Sequence, residues 1–571
     1  MFSEQNPWVA EREATLCTWK FDYNRGYISN MSVSLINDFM CLSERQIKNY
    51  ALMIKECGFT GIQVTDICAA WRASGSWENV HDKFRILSEA CHDIGMNVSI
   101  WCWAAEFSGH GWSEPEAVYV NADPSRPACE DPRVLEVFNR YYDIYADLAP
   151  CADRVIAHFF DPGNLPDMTS VIYFAKLLAS KFRAVNPGIK VAVDTWGCPE
   201  GCLQALVDAG MDGVMLMELP FLPAWQEPGK RAAFREEVKK LGCGLGMWGW
   251  YTSDMEIDQL PILCVNNRVL KHVFNTTRQQ ADHVMVPDYW SEIDSYHILN
   301  FFSLYAAGHL LIDPDADPDE LLMESALAVA GAGDDAGMLF RVLELIRDAR
   351  SGDSWDTYWW TSPGYVLRNL DHEDILSRVG GAISSLETLI GRSEPEDGIP
   401  FPITRRQLYR LMLPHLFQIK QYAEFCRGLA ALEDLAGTGA GREVLQEAVD
   451  RLGCEIPEYN CVIGLWGQSE AREAFSRCSS FCASHGLRTP GRSPSSRFRF
   501  KRRIVDHLMV NQRGREERVR VSTDFYESNL IGAELTRSLM DELAEEGVLE
   551  RDADGLYSLA DWQDYRFDFS W

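Results

Sequence analysis

The sequence predicts an α/β protein: a (β/α)8 TIM barrel over residues 1–312, an α-helical domain over 313–487, and a small winged-helix-like α+β domain over 499–571. Three observations carry that prediction. Short apolar runs alternate with amphipathic helical segments through the first part of the chain, the order of a parallel sheet covered by helices. Eight such units can be counted, which is the number that closes a barrel. No glycine-rich phosphate turn follows the first run, against a doubly wound nucleotide-binding sheet.

In chain order, the first strand is expected at Thr15 to Phe21. Ser43-Glu-Arg-Gln46 has capping-box spacing and opens a helix with Ile47, Tyr50, Ile54 and Cys57 on one face, closed by Gly58. Gly61 to Asp66 is the second strand, and a helix through Val80, Phe84, Leu87 and Cys91 ends at Gly95 before the third, Val98 to Trp103. A helix with Val134, Phe138 and Tyr141 precedes the fourth strand, which starts at Arg154 and runs to the turn Asp161-Pro162-Gly163. Asn186-Pro-Gly188 stops the next helix ahead of the fifth strand, Lys190 to Trp196. Gly213 to Pro220, Gly244 to Tyr251 and His283 to Trp290 complete the eight. Beyond residue 313 the runs Leu321 to Ala332, Met338 to Ala349, Ala382 to Ile390 and Leu408 to Leu432 have helical periodicity without strands. Residues 488–498, with Pro490, Gly491 and Pro494, form a linker. After it come helices at Ile504 to Met509 and Gly532 to Leu549, then a hairpin at Asp552 to Leu559, the order of a winged helix.

Composition bounds the function. A chain of 571 residues is too long for one ordinary barrel, so further domains are expected. The net charge of -30 opposes a nucleic-acid partner or an anionic membrane for the chain as a whole. No apolar run reaches the roughly 18 residues of a membrane-spanning helix. The Met1-Phe-Ser-Glu-Gln start has neither a basic nor an apolar leader region, so a cytoplasmic location is expected. Seventeen cysteines without CxxC pairs then read as buried reduced thiols, and no metal or other cofactor is expected. The sequence leaves association into a homo-oligomer open.

The chemistry lies at the strand ends. Asp66, Glu106, Asp161, Asp194, Glu218 and Asp288 close or follow predicted strands, with Glu292 just beyond. Taken singly each could cap the helix that follows, but a barrel gathers the C-terminal ends of its strands around one mouth. Trp101, Trp103, Trp112, Trp196, Trp248, Trp250, Tyr251, Tyr289 and Trp290 share those ends. Acids beside aromatic faces suit a carbohydrate better than a phosphate, which would call for basic residues and a glycine-rich turn.

The segment from Asn300 to Glu320, FFSLYAAGHLLIDPDADPDE after its first residue, resembles the barrel-closing helix and aspartate-proline turn of α-glucuronidases and β-hexosaminidases. The capped helix leading to Phe59-Thr-Gly-Ile-Gln63 is similar to the start of those barrels. The resemblance implies an exo-acting glycoside hydrolase. Hexosaminidases that use the substrate's acetamido group carry two adjacent acids at the fourth strand, whereas here Pro162 follows Asp161, so that chemistry is not expected. The α-glucuronidases match by position at Asp161, Asp194 and Glu218. On this template Asp161 is the proton donor, and Glu218 assisted by Asp194 is general base or nucleophile. Asp66, Glu106 and His158 would hold sugar hydroxyls, with Trp248 and Trp250 under the ring, and Trp103, Trp196, Asp288, Tyr289 and Glu292 completing the substrate site. His158 has an equal claim to being a satisfied core histidine.

Two rivals belong to other classes. A divalent-metal sugar isomerase, epimerase or lyase would bind its cation through Glu106, His158, Asp194 and Glu218. A non-catalytic sugar sensor would use the winged helix and the basic stretch Arg497 to Arg503 on DNA, although Glu534, Asp541, Glu542, Glu545 and Glu546 make its second helix a poor phosphate surface.

Overall fold

In the computed structural model the described residues are 7–17, 43–65, 77–104, 125–159, 165, 167–195, 201–217, 228–249, 263, 265–281, 289–294, 301–331, 333–350, 372–393, 404–455, 470–489, 501, 504 and 533–560. Eight parallel strands close into a barrel: β1 (Glu11–Cys17), β2 (Gly61–Thr65), β3 (Asn97–Trp103), β4 (Arg154–His158), β5 (Lys190–Asp194), β6 (Gly213–Met217), β7 (Gly244–Gly249) and β8 (Tyr289–Asp294). They pair in sequence order, and β8 returns to β1. The helices that alternate with them are α1 (Glu44–Glu56), α2 (Trp77–Asp93), α3 (Pro132–Ala146), α4 (Met168–Val185), α5 (Leu203–Asp208), α6 (Pro228–Leu241), α7 (Asn267–Ala281) and α8 (Phe301–Ile312).

Local sequence explains the elements. The Ser43 hydroxyl accepts from the Gln46 amide, and the Gln46 side chain accepts from the Ser43 amide, so the capping box forms as its spacing predicts. Helix α1 then buries Ile47, Tyr50, Ala51, Met53 and Ile54. The strand starts are pinned by a repeated device. Thr60, Asp153 and Asp212, each directly before β2, β4 or β6, accept a hydrogen bond from the backbone amide of Arg12, Val98 or Val191 on the preceding strand, at 2.8, 2.8 and 2.7 Å.

Strands β2 to β7 begin within one residue of their predicted starts, but β1 and β8 do not. The first begins at Glu11 rather than Thr15, and the last spans Tyr289–Asp294 rather than ending at Trp290. The cause is a polar interior. Glu13 accepts from the Ser99 hydroxyl at 2.8 Å and from Arg154 Nη1 at 2.9 Å, so β1, β3 and β4 meet across the barrel. Arg154 Nη2 also reaches Glu11 at 2.6 Å, which Lys190 contacts at 3.2 Å. Glu292 and Asp294 on β8 are the register partners of Glu13 and Thr15. Both misplaced strands therefore carry acids where a buried strand is expected to be apolar.

Helices α9 (Pro318–Ala330), α10 (Asp334–Arg350), α11 (His372–Arg392) and α12 (Arg405–Gly437) pack each on the one before, with α9 resting on α7 and α8. Helices α13 (Arg442–Glu455) and α14 (Glu470–Ser484) pack on α12. The apolar core is continuous, its members running from Val9 in the barrel to Leu487 beyond α14. No described helix is long and apolar enough to cross a membrane. Near the C-terminus, α15 (Ala533–Glu545) is followed by a hairpin of β9 (Leu549–Arg551) and β10 (Tyr557–Leu559). Lys501, from the basic stretch, bridges Glu542 of α15 and Glu546 just beyond it, at 2.9 and 2.6 Å. The remainder of the predicted helix at 504–509 and of the basic stretch lies outside the described residues.

Cysteines 57, 91, 102, 129, 151, 243, 426, 478 and 482 are not disulfide-bonded. Cys202 departs from the expectation of reduced thiols throughout, because it is disulfide-bonded. It stands at the N-cap of the short helix α5.

Candidate active site

His158 is the last residue of β4 and Asp194 the last of β5. The two strands run in register through Ile156 with Ala192 and Ala157 with Val193, so the next step along each sets imidazole beside carboxylate. His158 Nδ1 lies 2.6 Å from Asp194 Oδ2, with the histidine 3% and the aspartate 0% exposed. A carboxylate withdrawn this far from water needs a partner able to carry positive charge or donate a proton, and His158 supplies it. The second oxygen, Oδ1, is buried and accepts no hydrogen bond from the described residues.

Aromatic rings fix this pair from the side. The Trp101 ring on β3 lies 5.1 Å from the His158 ring at 33°, and 5.5 Å from that of Trp248 of β7 at 38°. Because β3 and β7 are on opposite walls, these rings fill the barrel below its mouth. Trp101 and Trp248 are both buried, so they act as a floor. The end of β3 is held on β4 by the Ala104 amide donating to the His158 carbonyl, and the Tyr142 hydroxyl of α3 in turn donates to the Ala104 carbonyl at 2.6 Å.

Among the residues singled out in sequence, the structure thus brings together His158, Asp194, Trp101 and Trp248. Trp103 is the register partner of His158, and Glu292 is the register partner of Trp248 and of Glu13. Asp66, Glu106, Asp161, Trp196, Glu218, Trp250 and Asp288 lie outside the described residues. Their places in the chain are nonetheless fixed relative to the strands. Asp66 directly follows β2, Glu218 follows β6 and Trp250 follows β7, while Trp196 comes two residues after β5 and Glu106 and Asp161 come three residues after β3 and β4.

The eighth strand is placed differently from expectation. Tyr289 opens β8 as the register partner of Leu245, at the end of the barrel opposite the mouth. Asp288 precedes β8 as Asp153 precedes β4 and Asp212 precedes β6, and Asp294 is the acid that closes the strand. Sequence reasoning passed over Glu13, Asp294 and the bracing role of Trp101. The usable signal was a period of two: Glu13 and Thr15 alternate with Ala14, as Glu292 and Asp294 alternate with Ile293.

Of the four residues a metal-dependent reaction would recruit, only His158 and Asp194 are described, and among the described residues no three His, Cys, Asp or Glu side chains gather to hold a cation.

No protein-family model matches the chain, and no curated protein matches its sequence. Several solved structures resemble it in fold. A family 89 glycoside hydrolase from Clostridium perfringens, bound to PUGNAc, is 9% identical with a TM-score of 0.44, over 95% of this chain and 69% of that one. A family GH115 4-O-methyl-α-glucuronidase with specificity for decorated arabinogalactans is 11% identical with a TM-score of 0.40, over 86% and 63%. The endo-β-1,4-mannanase of Thermotoga petrophila is 9% identical with a TM-score of 0.34, over 49% and 76%. The activity of each belongs to that protein and is not carried over by likeness at this level.

Proposed function

We propose that the chain is a glycoside hydrolase that releases a terminal sugar from short oligosaccharides or glycosides. The observation that carries the proposal is the floor of the barrel mouth, where a hydrogen-bonded His158–Asp194 pair is braced by Trp101 and Trp248. Asp161 follows three residues after that histidine, and Glu218 directly follows β6. Indole faces and an imidazole suit the apolar face and the hydroxyls of a pyranose.

Glycosidic cleavage divides labour between two carboxyl groups: one donates a proton to the leaving oxygen, and the other stays ionised to attack the anomeric carbon or activate water. Asp161 is the donor in this proposal, and Glu218 the nucleophile or base. Catalysis is assigned to residues 1–312, with the helices of 313–487 as a packed support. The linker 488–498 then sets off a winged-helix-like unit over 499–571.

The test is a panel of aryl glycosides of both anomers, assayed with the parent, Asp161→Asn and Glu218→Gln. Each substitution is expected to lower turnover at least about 100-fold, the scale of losing one acid or base. A variant that keeps near-parental turnover on a substrate the parent cleaves would remove its residue from the mechanism. The anomer first released, read by proton NMR, reports whether the carboxyl groups work at about 5 Å with retention or about 6.5–9.5 Å with inversion.

A further inference from the structure

We infer that Asp194 is a positioning residue acting through His158, holding the imidazole with a proton on Nδ1 so that Nε2 serves a hydroxyl of the bound sugar. This rests on the glycosidase proposal for the identity of the ligand, but not for the geometry. Three observations support it. Asp194 is wholly buried, and one of its oxygens is committed to His158 at 2.6 Å. Its second oxygen is buried as well, so neither oxygen of Asp194 is presented to attack an anomeric carbon or to activate water. The ring of His158 is also held against Trp101 at 5.1 Å, so both its plane and its rotation about that plane are set. Finally, the pair closes two adjacent strands, β4 and β5, on the same side of the barrel as the residue positions that lead to Asp161.

The chemistry follows from which nitrogen carries the proton. A carboxylate at Nδ1 selects the tautomer with hydrogen there, leaving Nε2 to accept from a hydroxyl in the neutral ring or donate to one in the charged ring. Either way the histidine reads a hydroxyl at a fixed distance and direction. Asparagine at position 194 keeps the shape but can turn its amide nitrogen towards Nδ1, which stabilises the opposite tautomer.

Two arms test this on the full-length protein. In the first, ring-nitrogen NMR of histidine-labelled protein is recorded for the parent and Asp194→Asn, with the His158 signals identified by their loss in His158→Gln. The parent is expected to carry a proton on Nδ1 of His158, and Asp194→Asn to shift that proton towards Nε2. An unprotonated Nδ1 in the parent would overturn the inference without any variant, as would an unchanged spectrum in Asp194→Asn.

The second arm is a double-mutant cycle on an aryl glycoside that the parent cleaves. Asp194→Asn and His158→Gln are each expected to lower kcat about 100-fold or more. The double variant should be no worse than the poorer single within about 2-fold, as for two groups acting as one unit. Losses that multiply would show Asp194 acting independently of His158 and overturn the inference. If no glycoside is cleaved, the glycosidase proposal fails, while the NMR arm still decides whether Asp194 sets the tautomer.

Discussion

Two buried carboxylates in one barrel are handled differently. Glu13, deep in the interior, faces a permanent cation, whereas Asp194 at the mouth faces the imidazole of His158. Burial pushes the Glu13 carboxyl above its usual range, and Arg154 and the Ser99 hydroxyl pull it partly back. A carboxyl whose folded value is raised contributes its stability in full below the unfolded value and loses it as pH rises through the folded one. Where Glu13 is ionised, Arg154 is the charge that makes its burial tolerable. Arg154→Met is therefore expected to cost about 3–5 kcal/mol at pH 7, the scale of an uncompensated buried charge. The cost should shrink towards pH 4, where Glu13 can take up a proton. Urea unfolding of parent and variant at the two pH values checks this, and an equal gap at both would mean that lost packing, not charge, is what the variant reports.

At the scale of the element, α8 shows how one glycine joins a helix to the barrel. A Cβ at Gly308 would overlap the Cys57 carbonyl oxygen and stand 2.9 Å from the Phe59 ring, so α8 can lie against the end of α1 only because this residue has no side chain. Gly308→Ala is expected to destabilise by about 1–3 kcal/mol as an overpacked contact, read as a lower urea midpoint with an unchanged slope. An unchanged midpoint would show that the two helices can separate freely. The same contrast between backbone demand and side-chain pattern governs what the sequence made legible. Strands β2 to β7 were readable because their runs are apolar and end at loop signals, and β1 and β8 were not, because Glu13, Glu292 and Asp294 break the apolar rule while keeping the alternation. Asp194 was legible as a strand-end acid, and His158 only as a residue inside the fourth strand, which was expected to run on to Asp161 and ends at the histidine itself. Their bond was not legible, since it depends on the register between β4 and β5, which neither strand encodes alone. Trp101 was read as part of a mouth cluster, yet it lies in mid-strand and is buried against His158 and Trp248.

At the scale of the whole molecule, the aspartate-proline segment that resembles other barrels turns out to be a junction. Asp317 caps α9, and Asp319 accepts from Arg268 Nη2 at 2.7 Å and Asn267 Nδ2 at 3.2 Å of α7, and from Arg347 Nη1 at 2.8 Å of α10. Arg347 continues to Asp348, and Asp348 to Arg378 of α11, so one chain of charges links the last barrel helices to the helical array. The hydrogen bonds from Arg268 come first in lowering the Asp319 carboxyl below its usual value, and burial opposes them. A depressed carboxyl contributes stability above its unfolded value and loses it as pH falls through the folded one. Asp319→Asn should therefore lower the thermal midpoint of the full chain at pH 7, and the difference from the parent should vanish as acid protonates Asp319 below the ordinary carboxylate range. Because the acid ties both sides together, amide hydrogen exchange at pH 7 should quicken in α7 and in α10 alike. Faster exchange in α10 with α7 unchanged would mean that the barrel is held without this junction and that the helical array merely leans on it.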